Sequence, residues 1–142
     1  MRRVMQNTLN GPRAASQSEQ QAGTSANVFV APSVQQQHKS AVQAWAYTLL
    51  SATGSALITG YNISTVSLPA TGVNTFYFTN EMASANYSVM ATPILNSGST
   101  QGIAHAHTLT TSSFIVYVKN GNTGALISNH LGLNVAVNGL LA

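Results

Sequence analysis

A chain of 142 residues with five basic and two acidic side chains, 44% hydrophobic and 5% charged, falls far below the roughly 25% charge of ordinary soluble domains and has little to keep its surface from adhering to copies of itself. It contains no cysteine and no aspartate, which excludes a disulfide framework, a thiolate nucleophile and a triad built on aspartate. The length suits one domain with its own core, and the composition argues for a homo-oligomer.

The charges are unevenly placed. Arg2, Arg3, Arg13, Lys39 and Glu19 all precede residue 40 and account for the whole net charge of +3, while Glu81 and Lys119 cancel in the remainder. The chain reads as a basic arm followed by a neutral body. Met1 to Met5 is basic, but no apolar h-region follows it and no run approaches 18 apolar residues, so neither a secretory leader nor a membrane span is expected.

Residues 1–38 are polar and of low complexity, with Gln17 to Gln21 and Gln35 to Gln37 flanking an apolar island of Val28, Phe29 and Val30. Such a segment buries too little apolar surface to offset its own ordering entropy. A disordered tail, a docking arm and a nucleic-acid contact compete for it. The docking arm is carried forward: Val28, Phe29 and Val30 add a strand to a neighbour's sheet, Pro32 stops it, and Arg2, Arg3 and Arg13 assist. Three basic residues without interleaved aromatics are a weak nucleic-acid footprint, so nucleic acid is set aside.

In residues 39–142, alternation predicts strands. Lys39 to Leu50 fits either a helix through Val42, Trp45 and Leu49 or a strand through Trp45, Tyr47 and Leu49; the even spacing of the aromatics favours the strand. Leu57 to Leu68 reads as one long strand, bent near Gly60, with Tyr61, Ile63 and Thr65 on one face. Pro69 to Asn74 supplies a reversing loop before Phe76 and Phe78, which share a face, as do Tyr87, Val89 and Ala91. After a Gly/Ser-rich loop at 96–102, strands follow at Ile103 to Leu109, Phe114 to Val118, Ala125 to Ser128 and Leu133 to Leu141, with Asn120-Gly121 as the strongest hairpin signal. Seven or eight short strands at about ten-residue spacing predict an all-β antiparallel β-sandwich.

From about residue 38 onward the chain resembles the small trimeric β-sandwich domains that end the tail fibres of many bacteriophages, with an H-type-lectin-like topology. The resemblance lies in Ala44-Trp45-Ala46-Tyr47, in Tyr61-Asn62-Ile63-Ser64, and in Phe78-Thr79 followed by Met82 to Val89. The stretch Leu49 to Gly54, where the family has a tight turn, and the second half with its His pair depart from that pattern. The resemblance implies a homotrimeric virion structural protein on the exterior of a phage particle. With no shaft repeat or heptad run, the expectation is a small knob carried by its arm, which spans on the order of 120 Å if fully extended. Its partners would be itself, another virion protein such as a tail adaptor or the major capsid protein, and a host cell-surface glycan. A capsid decoration (cement) protein and a free carbohydrate-binding lectin are the alternatives.

Little chemistry is expected. His105 and His107 share a strand face about 7 Å apart; on a threefold axis they would offer six nitrogens, and some related tail fibres bind iron through repeated His-x-His units, but here there is one unit, so solvent-facing or hydrogen-bonded histidines are the favoured reading. His38 and His130 read as isolated surface residues. A paired-carboxylate hydrolase would have to use Glu19 and Glu81, so no enzyme is expected, and no cofactor. For glycan contact the polar loops offer Asn96, Ser99, Gln101, Asn120 and Asn122, without an aromatic to stack on. The tyrosines read as half-buried strand residues.

Overall fold

The computed structural model describes residues 13–22, 28–29, 41–51, 54–95, 102–127 and 130–142. The chain divides into two units, Met1–His38 and Lys39–Ala142. In the first, β1 (Arg13–Ala14) pairs in parallel with β2 (Val28–Phe29), and α1 (Gln17–Ala22) lies between them in sequence. These stretches are locally folded, where the sequence reading has extended chain, and Val28–Phe29 finds its strand partner within its own unit. The start of α1 is a capping box: Ser16 Oγ accepts the Glu19 amide at 3.3 Å, while Glu19 Oε2 accepts the Ser16 amide at 3.0 Å.

The second unit is all-β. Its eight described strands are β3 (Val42–Ser51), β4 (Gly54–Tyr61), β5 (Ile63–Ala70), β6 (Val73–Phe78), β7 (Ser88–Leu95), β8 (Gly102–Leu109), β9 (Ser113–Asn120) and β10 (His130–Asn138). They form two antiparallel sheets, ordered β4-β3-β10-β7 (sheet 1) and β5-β6-β9-β8 (sheet 2). The architecture is a β-sandwich. No described helix is long and apolar enough to cross a membrane.

Alternation builds the core. Sheet 2 sends in Phe76, Phe78, Phe114, Val116 and Val118, and sheet 1 sends in Ala44, Ala46, Leu133, Val135 and Val137. Large side chains from one sheet meet small ones from the other, which is how two pleated faces fill the space between them. Phe76 lies opposite Phe114 in register, and their rings stack at 4.9 Å with planes 2° apart. Phe78 meets Tyr87 edge-on at 5.6 Å. Phe76 and Phe78 are both buried, and Val89 and Ala91 pack on the same core as Tyr87, as alternation predicts.

The predicted long strand over residues 57–68 is instead two strands in different sheets. Asn62 sits between them with φ 54, a left-handed conformation that Asn tolerates better than most residues. Its carboxamide fixes the switch: Oδ1 accepts the Asn80 amide at 2.7 Å and Nδ2 donates to the Asn80 carbonyl at 3.0 Å. A register shift between Ile63 and Thr65 follows, so Ile63 is buried while Tyr61 and Thr65 face outward rather than sharing its face. Of the strand expected from Ala125 to Ser128, the described residues 125–127 contribute a bridge between Leu126 and Lys119, and Ser128 lies outside the described residues. The turn after β9 takes its positive φ at Gly124, not at Gly121.

Candidate functional site

Three surfaces of the body carry the polar and aromatic groups that could meet a partner. On sheet 2, burial of Phe114, Val116 and Val118 turns Tyr117 and Lys119 outward, and the register sets His105 opposite Tyr117 and His107 opposite Ile115. The His107 ring stacks on Tyr117 at 4.5 Å and 20°, and His105 meets the same ring edge-on at 5.6 Å. Lys119 Nζ stands 5.8 Å from that ring centroid. Desolvation, followed by the charges of Lys119 and His107, holds His105 below the usual histidine range. No cluster of three or more metal-ligating side chains occurs among the described residues. The pair alone offers two ligating side chains per chain, so a metal there would need ligands from further copies.

The second surface is a neutral cleft of about 550 Å³ at one end of the sandwich, lined by Ser84, Asn86, Tyr87, Ser88, Leu109 and Asn138 among others. It brings together the β6–β7 connection and the ends of β8 and β10. Sequence reading missed it, because its walls are distant in the chain. Tyr87 is committed to structure: its hydroxyl lies 2.8 Å from the Thr110 carbonyl and 2.9 Å from that of Ser113. Burial pushes it up to about 12, so it stays a protonated donor that holds the β8–β9 turn.

The third surface is the outer face of sheet 1. Trp45 lies opposite Tyr61 on one side and Ala136 on the other, and Ala136 lies opposite Met90. One row therefore crosses all four strands. A second row, Thr59, Tyr47, Asn134 and Thr92, runs beside it. None of the four strands contains Lys, Arg, Asp or Glu.

Asn96, Ser99 and Gln101 lie outside the described residues, as do Arg2, Arg3, Val30 and His38. Asn120 is a turn anchor, its Oδ1 accepting the amides of Asn122 at 2.9 Å and Thr123 at 3.1 Å, while Asn122 is exposed. Arg13 pairs with Glu19 through both terminal guanidinium nitrogens. Arg13 first, then the Ser16 amide and hydroxyl, lower Glu19 to about 2. That carboxylate serves the helix start rather than proton transfer. His130, expected on the surface, is 2% exposed; a register shift between His130 and Gly132 slips the alternation and turns it inward. Desolvation pushes it below the usual range, opposed by the Ile127 backbone.

Comparisons with models of known families, with characterised proteins and with solved structures found no match to this chain.

Proposed function

We propose that the chain is a structural subunit on the exterior of a bacteriophage particle: a homotrimeric β-sandwich knob of H-type-lectin-like topology, joined to another virion protein through its N-terminal segment as a tail-fibre-type appendage. The observation that carries this reading is a body in which, from residue 41 onward, Glu81 and Lys119 are the only charged side chains. A surface so poor in charge suits a protein that spends its life against copies of itself. The residue patterns at Ala44 to Tyr47 and Met82 to Val89 supply the phage resemblance, and the two-sheet body accommodates it. Catalysis has no support in the inventory, since Glu19 is tied to Arg13 and Ser16. A host glycan would be met by neutral hydroxyl and carboxamide groups of the kind that line the cleft.

Cryo-electron microscopy of the intact particle tests this reading. The knob should project from the tail with residues 1–38 threaded into an adaptor. A position on threefold or quasi-threefold sites of the shell would make it a capsid decoration protein instead, and absence from the particle would overturn the virion role. Deleting residues 1–37 should leave a folded trimer, by circular dichroism and solution mass, that no longer joins particles; failure to fold would show that the segment belongs to the core.

A further inference from the structure

The outer faces of the two sheets are alike in size and unlike in chemistry, and only one of them suits a threefold axis. Around such an axis each residue is brought towards two copies of itself. On sheet 2 that would crowd three Lys119 ammonium groups together with His105 and His107, and like charges removed from water repel strongly. Sheet 1 brings no charge at all. Its first row is apolar and open: Trp45 is 41% exposed, Tyr61 38% and Met90 59%.

We propose that the outer face of sheet 1 is the surface on which this chain meets two further copies of itself, the three faces closing around a common axis. The proposal rests on the trimeric reading above and adds to it the face. Four strands at about 4.8 Å make a face roughly 19 Å wide, and an equilateral triangle of that side has its centre about 5.5 Å from each edge. That is close to half the roughly 10 Å at which two sheets pack face to face. One layer of side chains from each copy therefore fills the space along the axis. Seven residues of strand run about 24 Å, so the flat area of the face is roughly 450 Å² per copy and about 1,400 Å² for the three copies together, divided over three contacts. Tyr61, Trp45, Ala136 and Met90 form one layer of the resulting prism. Thr59, Tyr47, Asn134 and Thr92 form the next, where hydroxyl and carboxamide groups hydrogen-bond between copies and fix the register.

Trp45 is the chain's single tryptophan and reports on this face directly. The test measures solution mass by light scattering and acrylamide quenching of Trp45 for the full-length chain, Met90→Arg, and Ile103→Arg on the opposite outer face, where Ile103 is 55% exposed and lies opposite Lys119. The wild type should run at the mass of three chains with Trp45 quenched several-fold less than free tryptophan. Met90→Arg should run as one chain with Trp45 quenched nearly as freely as the amino acid, and Ile103→Arg should behave as the wild type. A wild-type trimer with freely quenched Trp45, a Met90→Arg chain that stays trimeric, or separation by Ile103→Arg alone would overturn the face while leaving the trimer intact. A wild type of single-chain mass would overturn the trimer and the face with it. Should Met90→Arg fail to fold, quenching of the unmodified chain decides the matter.

Discussion

Inside the sandwich the two sheets are complementary, sheet 2 giving phenylalanines and sheet 1 giving alanines and valines; outside, they diverge in charge. Sheet 2 turns His105, His107, Tyr117 and Lys119 to the surface, whereas sheet 1 turns out Trp45, Tyr61, Tyr47 and Met90 with no charge among its strands. Inner positions are constrained by packing, so they report the fold. Outer positions contribute little to protomer stability, so an aromatic row there calls for an explanation outside the protomer. The contrast separates what holds the body together from what it presents to partners.

Removing the large half of the core is the strongest way to break the inner complementarity. Phe76→Ala should cost roughly 3–5 kcal/mol in chemical denaturation, because the alanine-lined facing sheet cannot collapse into the space. A negligible loss would refute the inward orientation of Phe76. Gly132→Ala attacks sheet 1 at its centre: a Cβ there would come within 1.9 Å of the Thr48 carbonyl oxygen. It should cost roughly 3 kcal/mol, and it threatens the neighbouring bond from the Leu133 amide to Thr48 Oγ1 at 3.1 Å. Tyr87→Phe keeps the ring in the aromatic cluster and removes only the hydroxyl. The Thr110 carbonyl loses its donor, while that of Ser113 keeps the Thr110 amide at 2.9 Å, so the loss should be about 1–2 kcal/mol by thermal or urea melts.

A pH series sharpens the comparison with the smallest effect. With two carboxylic side chains in the whole chain, the histidines dominate the side-chain titration between about pH 5 and 7. His130 in sheet 1 and His105 in sheet 2 are both held below their ordinary value. The unfolded chain therefore takes up protons that the folded chain refuses. Stability is fully present above about pH 6.5 and declines as pH falls through the depressed folded values. His130, the more deeply buried of the two, should carry most of this slope. Melting temperatures measured between pH 7.5 and 5 should drop, and His130→Leu should flatten the curve; an unchanged slope in that variant would assign the effect to His105.

Much of this fold is legible in the sequence, because alternation at Phe76 and Phe78, at Ile103 to Leu109 and at Phe114 to Val118 follows directly from a pleated, half-buried strand. What escapes are single residues that reset the pattern. Asn62 divides two apolar alternating runs, and only its left-handed backbone and its carboxamide clamp on Asn80 reveal a change of sheet. The register shift beside Gly132 buries His130, which alternation cannot foresee. The Ser16-x-x-Glu19 pattern, by contrast, announces the helix start at residues 17–22 to a reader who looks for it. The row on sheet 1 is illegible for a different reason: Tyr61, Trp45, Ala136 and Met90 belong to strands scattered along the chain, and only pairing register aligns them.

The central claim is that the missing charge reflects surface buried against copies of the same chain, and the most direct measurement is the solution mass of the unmodified protein. A chain of 14.8 kDa should run at three times that mass at micromolar concentration and hold it on dilution through a tenfold range. A particle of one chain's mass, stable and soluble throughout, would contradict the account.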